Sequence, residues 1–320
     1  MAGPVVLILA EQDDAEAGYV SDALVVRGAR VAWFDTAWFP VRADLTVRLG
    51  EDGWCGAIGG PDEAVRLDDV MSVYYRQSQP FSFPETLSEP ERRFATVEAR
   101  FGFGGLFMSL PARWVSHPAR LADAEYRPLQ MAAAARCGFR VPESIITNRP
   151  DAARDFARSG SGVVYKATMH KLISEDDRVK LIYTTPVSAD AIDDRVATTL
   201  HLFQTNVPKS YDVRVAATGS GHVHGVAIRT DDPSGRQDFR VAYGSLTYEV
   251  TDVPCDVARA CHAYLRVLGL ELGVFDFAVT GDGAWWFLEC GPGSQWAWLE
   301  DETGAPIANS IADTLLGVTI

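Results

Sequence analysis

Two acids, Asp276 and Glu289, stand where an acid is costly. Each interrupts an apolar run, "ELGVFDFAVT" and "AWWFLECGPG", with a GDG turn near the junction. That pattern predicts a hairpin with one acid on each arm. Two carboxylates brought together in a dry core are unfavourable unless a positive group compensates them. A Mg²⁺ ion, which takes oxygen donors, is one solution; the other is two separate acids, each held by an arginine. Cations recur on the segments before the hairpin: Lys166 after a Gly-rich turn, Arg214 in "KSYDVRV", Arg229 at the end of "HVHGVAIR" and Arg240 in "QDFRV". Taken singly, each arginine reads as a surface salt bridge. Together, carboxylates for a metal beside Lys and Arg for phosphates is the arrangement that stabilises a phosphoryl group in transfer.

The elements that must position these residues fall into three lobes, an α/β and α+β organisation. "VVLILA", an amphipathic stretch and "RGARVAWF" open as strand, helix, strand. "WCGAIGG" and "SVYYRQ" are expected to continue that sheet, and a helix over 91–110 precedes the end of a first lobe, 1–118. The second lobe, 119–201, holds a helix in "RPLQMAAAARCGF", a strand in "VPESIITN", a helix in "RPDAARDFA" with Pro in its first turn, the strand carrying Lys166, and a hairpin over "HKLISEDDRVKLIYTT". The third, 202–320, is strand-rich: "TLHLFQTNV", "YDVRVAAT" and "HVHGVAIR", a helix from about Asp256 to Leu268, the acidic hairpin, and a closing helix ending near Leu315.

With 320 residues, several packed lobes are the natural expectation. A net charge of −14 excludes the basic stripe of a general nucleic-acid binder, though local Lys and Arg can still hold an anionic cofactor. The five cysteines show no CxxC pair or zinc spacing and read as reduced thiols of a cytoplasmic protein. The N-terminus reads as a first strand, and no run approaches the roughly 20 apolar residues of a membrane span. "SGSGVVYK" is not a P-loop, and "FGFGG" lies in a helical pattern. His222 and His224 share a strand face and read as surface histidines; "WAW" (296–298) reads as core packing at least as well as a stacking platform.

The order of parts resembles the ATP-grasp ligases. "LHLFQTNVPKSYDVRV" is similar to that superfamily's adenine hinge and D-x-R strand, and "VFDFAV…WWFLECGP" to its paired metal strands. From about residue 70 to 300 the chain more narrowly resembles the graspetide (omega-ester peptide) maturases, relatives of the microviridin macrocyclases, in their actinobacterial form. The stretches that carry this are "SVYYRQSQPFSFPETLSEPERRFATVEAR", "GLFMSLPARWVSHPARLADAEYRPLQMAAAARCGFRVPESIITN", "VVYKA", "DFR" and "GPGSQWAWLE". The resemblance implies an ATP-grasp fold with ATP between the central and C-terminal lobes. Arg127 and Lys166 would contact ATP. The hinge of Leu202, Phe203, Gln204, Thr205 and Val207 would hold adenine, largely through backbone groups. Lys209 and Asp212 would shape the hinge, with Lys209, Arg214, Arg229 and Arg240 as the catalytic cations, and Asp276 and Glu289 would bind Mg²⁺. The hairpin near 170–184 would clamp a leader peptide, and homodimers are usual in such enzymes.

The implied reaction is ATP-dependent cross-linking of a ribosomal precursor peptide, leader plus core. A side-chain carboxylate is activated as an acyl-phosphate and attacked by a hydroxyl or amine of the same peptide. Two other readings stay open: a ligase joining separate small molecules or amino acids, and an impaired peptide-binding homologue. Three positions depart from the family's pattern. Arg127 replaces a usual Lys, Ser116 a usual Asn, and Gly291 stands where the family's Asn ligates Mg²⁺. A water, Ser294 or a one-metal site could answer the last of these. If a ligand is missing there, Gly291→Asn is expected to leave the fold intact and strengthen metal binding.

Overall fold

The structure, a computed structural model, describes residues 4–51, 53–61, 63–76, 78–159, 162–169, 172–175 and 178–319, without the side chains of 172–175, 178–181, 234 and 243. Gln77, His170 and Lys171, which fall in motifs noted above, lie outside these residues.

A parallel sheet, β2 (Arg30–Phe34), β1 (Val5–Leu9), β6 (Val70–Tyr75), β7 (Arg113–Val115), opens the chain. All five residues of β1 are buried, as a strand covered on both faces requires. The crossover helix α1 (Ala15–Val26) starts at Asp14, whose carboxylate accepts the Ala17 amide at 2.8 Å. "WCGAIGG" does not continue this sheet. It forms β4 (Gly53–Gly59) of a separate antiparallel sheet with β3 (Asp44–Gly50) and β5 (Ala64–Arg66). Helix α2 (Glu89–Met108) begins in a capping box, Glu91 accepting the Ser88 amide at 2.8 Å, and buries Ala99, Phe103 and Phe107 against the parallel sheet.

Two lobe assignments shift. The helix expected to open the central lobe is α4 (Arg127–Arg136), preceded by a short helix α3 (Pro118–Ala124). Ala124, Ala133, Ala134 and Phe139 instead pack into the core of the C-terminal sheet. Conversely β13 (His201–Thr205) does not join the C-terminal sheet. It pairs antiparallel with β8 (Ser144–Thr147) and β9 (Val163–Lys166), and β12 (Thr185–Val187) pairs the far edge of β9. The central sheet is closed by α5 (Pro150–Ser159), and the chain leaves it only after Thr205. The hairpin expected near 170–184 is present as β10 (Leu172–Glu175) and β11 (Arg178–Leu181).

The C-terminal sheet is antiparallel, in the order β16 (Thr247–Thr251), β15 (Val223–Arg229), β14 (Lys209–Thr218), β17 (Leu272–Thr280), β18 (Trp285–Gly291). α6 (Pro233–Gln237) lies in the β15–β16 connection. One face carries Val213, Val215, Phe275, Phe277 and Phe287 against α7 (Cys255–Leu268). The Phe139 and Phe287 rings stack there at 5.4 Å, and each fully buried Phe contributes about 1.5–3 kcal/mol. Gly269, at φ 66°, ends α7 in the left-handed conformation that side chains disfavour. The other face carries Ala216, Val226 and Val274 into a core shared with β1, α1, α8 (Ala297–Thr303) and α9 (Ile307–Leu316). His222 and His224 are used structurally, His224 Nε2 lying 2.7 Å from Ser310 Oγ and His222 Nε2 3.3 Å from Asp313. Trp296 is fully buried in this shared core.

Candidate active site

Period-two alternation puts Phe275 and Phe277 on one face of the sheet and Asp276 on the other. Register does the rest. Asp276 pairs with Glu289 on one side and with Arg214 on the other, so three charged side chains from β18, β17 and β14 stand in a row on one face. A register shift follows Asp276 in its pairing with β18. Arg214 grips Asp276 with two bonds, Nε to Oδ1 at 2.7 Å and a second nitrogen to Oδ2 at 3.0 Å. Arg127, in the first turn of α4, donates to Glu289 Oε2 at 2.6 Å. The two acids are therefore cross-strand neighbours, and each is held by an arginine. Gln130 fixes α4 against β18, donating to the Cys290 carbonyl at 2.8 Å and accepting its amide at 3.2 Å. The Arg214 guanidinium also lies over the rings of Trp298 and Phe239, at 5.6 and 5.8 Å.

Above this row lies a cleft between the central and C-terminal sheets. Arg127, Lys166, Gln204, Thr205, Val207, Lys209, Asp212, Arg240, Asp276 and Glu289 line it, so ten of the residues expected at the site meet here. Burial pushes the Lys166 ammonium down to about 8, helped by neighbouring Arg127, and Glu289 opposes the shift. Lys166 donates to Gln204 Oε1 at 2.7 Å. Burial pushes Asp212 up to about 6, while Lys209, at 2.6 Å, pulls it down. Arg240 is held charged chiefly by its hydrogen bonds to Asp238, at 2.6 and 2.8 Å, and sits 4.0 Å from Glu289. A second cavity adjoins the first. It shares Arg127, Arg240, Asp276 and Glu289 and adds Arg214, Tyr75, Arg76, Glu125 and the 291–294 loop.

Three expected site residues are placed elsewhere. Phe203 points into the central-lobe core, and Leu202 is fully buried beneath the cleft floor without lining it. Arg229 is exposed and lies 3.8 Å over the Tyr211 ring. The reason is parity: Arg214 pairs with Val226, so Arg229, three residues on, points to the opposite face. Arg229→Ala is accordingly expected to leave turnover within about twofold of wild type, the usual range for a surface change. A rate loss beyond tenfold in a steady-state assay would return Arg229 to the site.

Sequence reasoning missed Asp238, which orients Arg240, and also Gln237, Tyr183, Ala278 and Leu288, which line the cleft. It also missed what holds the loop after β18. Glu16 of α1, 4% exposed, accepts the backbone amides of Trp296 and Ala297 and pairs with Arg76. Arg76 in turn reaches the Gly293 carbonyl at 3.5 Å. These contacts span most of the chain, and no local pattern announces them.

Among the described residues no group of three or more His, Cys, Asp or Glu side chains could hold a metal ion. The candidate donors are the two carboxylates of Asp276 and Glu289, and Ser294 lines the cavity beside them. A Cβ built on Gly291 would lie 1.6 Å from Ser294 Oγ, so that hydroxyl fills the cradle a side chain at 291 would enter. Hard oxygens few enough to leave room for water suit Mg²⁺, and the residues present fit it.

Comparison with known proteins agrees with this architecture. Residues 5–122 match the family model of the MvdD pre-ATP grasp domain. No curated protein matches the chain significantly. Among solved structures, the macrocyclase MdnC from Microcystis aeruginosa MRC, bound with precursor peptide MdnA, is 24% identical with a TM-score of 0.82, over 98% of this chain and 99% of that one. A RiPP-associated ATP-grasp ligase of Chryseobacterium gregarium, in complex with ADP and a leader and core peptide, is 22% identical with a TM-score of 0.88, over 98% and 97%. The macrocyclase MdnB from the same Microcystis strain is 26% identical with a TM-score of 0.76, over 98% and 99%. The chain has the fold of these ATP-grasp ligases.

Proposed function

We propose that this chain, built on the ATP-grasp ligase fold of the peptide macrocyclases, is an ADP-forming ligase that makes side-chain ester or amide cross-links within a precursor peptide. The observation that carries the reading is the pair of adjoining cavities sharing Asp276, Glu289, Arg127 and Arg240. The first, between the two lobes, would take the nucleotide, and the second, which holds Arg214, would take the peptide side chain. The likeness to structures solved with ADP and with leader and core peptides supports it.

Bound Mg-ATP would supply the phosphoryl group that gives a peptide carboxylate a leaving group. Arg127, Lys166, Lys209 and Arg240 would neutralise the phosphates. Gln204, Thr205 and Val207 would border the base. Asp276 and Glu289 would hold Mg²⁺. Arg214, fixed by Asp276 and flanked by Trp298, sits in the second cavity, where it would meet the activated carboxylate and stabilise charge as it develops. The two lobes exclude water and position the attacking hydroxyl or amine. The β10–β11 hairpin would clamp the leader. A homodimer belongs to the same reading, and α2 offers a surface for it, with Phe94, Val97, Phe101 and Met108 exposed along one side.

Incubating the enzyme, Mg-ATP and the encoded neighbouring peptide should give a product lighter by one water per bond, with ADP released. Mass spectrometry reads this directly. Unchanged peptide with ADP formed against a small carboxylic acid and amine would replace the reading with ligation of separate molecules. Peptide binding with no nucleotide binding in calorimetry would replace it with an impaired homologue.

A further inference from the structure

We infer that the Ser294 hydroxyl is the third protein oxygen of the cation site made by Asp276 and Glu289, filling the place of a side chain that position 291 lacks. The inference rests on the ATP-dependent reading above and adds to it a ligand that the two acidic strands do not supply.

Three observations converge. The first is direction. Gly291 is two residues beyond Glu289 on β18 and pairs with Val274, as Glu289 pairs with Asp276 two residues on. Position 291 therefore faces the same side of the sheet as the two acids, and any donor there stands beside them. The second is occupancy. A Cβ on Gly291 would meet Ser294 Oγ at 1.6 Å and Ser294 Cβ at 2.6 Å. The serine hydroxyl thus sits almost where the first side-chain atom of residue 291 would be, and Ser294 lines the same cavity as Arg214, Asp276 and Glu289.

The third is how the hydroxyl is held. The turn closes on itself, Ser294 N donating to the Gly291 carbonyl at 3.3 Å. Arg76 bonds Gly293, and Glu16 caps the amides of Trp296 and Ala297. A donor anchored on both flanks loses little freedom when a cation binds, which is the condition for a neutral oxygen to contribute. A hydroxyl also adds no charge to a site that already has two carboxylates. Glycine at 291 follows from the same arrangement: a larger residue and Ser294 compete for one space. With Ser294 as the ligand, Gly291→Asn alone is no longer expected to strengthen metal binding, because its side chain has to displace the serine.

The test measures Mn²⁺ binding by electron paramagnetic resonance on the full chain in the presence of ADP, with ADP affinity in the absence of metal measured by calorimetry. Ser294→Ala should weaken Mn²⁺ about five- to tenfold, the loss of one modest polar interaction, and leave metal-free ADP affinity unchanged. Gly291→Asn should weaken it too. Gly291→Asn combined with Ser294→Gly should restore it, since removing the serine side chain leaves only its Cα, at 3.6 Å, near the new Cβ. Wild-type affinity in Ser294→Ala, or failure of the double variant to recover over Gly291→Asn, overturns the inference alone. A wild-type protein that binds neither ADP nor Mn²⁺ overturns the reading beneath it.

Discussion

Asp276→Asn is expected to cut cross-linking by at least about 10²-fold, the scale of losing a preorganised charge at a reacting centre, while the protein stays folded. Two losses coincide in this residue. In the proposed function it is one of the two carboxylates for the cation, and it is the bidentate partner of Arg214, which lines the second cavity. The stability cost is smaller than burial suggests. The amide keeps the shape of the carboxylate and one acceptor oxygen, so Arg214 retains a bond, and the change should cost about 1–3 kcal/mol, within the 5–15 kcal/mol that holds an ordinary domain together. Asp276→Ala leaves the guanidinium without its partner in a largely buried place and should cost about 3–5 kcal/mol. Thermal melts beside product mass spectra separate the two effects. Wild-type turnover in Asp276→Asn would mean that neither role belongs to this residue.

The second large effect concerns Lys166. Burial, aided by Arg127, holds its free-enzyme value near 8, against roughly 10.5 for an exposed lysine. Anionic phosphates arriving beside it favour the charged form and push the value back up. Nucleotide binding should then take up a proton above pH 8, and ADP affinity should fall as pH rises from 8 towards 10.5, with no contribution from this lysine below about pH 7. Folding runs the other way. Between pH 8 and 10.5 the unfolded chain binds the extra proton, so this group makes stability rise with pH in that window. Lys166→Met should weaken ADP about 10- to 100-fold at pH 7, the worth of one or two charged hydrogen bonds, and abolish the proton uptake. Calorimetry at pH 9 in two buffers of different ionisation heat measures the uptake. Equal uptake in the variant and wild type would assign the proton to another group.

What the sequence allowed, and where it stopped, follows from the physics of strands. An acid inside an apolar strand is costly wherever the strand lies, so Asp276 and Glu289 stood out before any pairing was known. Lys166 and Arg214 stood out as cations on neighbouring strands, while their roles and the hinge came from a resemblance carried by particular motifs. Arg229 was misplaced because alternation fixes which residues share a face of one strand, but only inter-strand register says which faces coincide. β13 was misassigned for a related reason: a strand's composition does not say which sheet completes it. Likewise α3 and α4 follow the first lobe in sequence yet pack on the last. Asp238, Glu16 and Arg76 were illegible because their meaning lies in partners that no local pattern connects.

The tie between Glu16 and the amides of Trp296 and Ala297 joins residues 280 and 281 positions apart. Closing so wide a loop costs entropy that only a nearly complete fold offsets. During synthesis from the N-terminus, the first turn of α1 is made long before its partner amides, so the loop of 291–296 takes its shape only once both ends of this tie exist. Assembly of the site is therefore late: a chain interrupted between Arg240 and Asp276 carries the cations that line the cleft but neither of the two acids nor the loop that Glu16 holds.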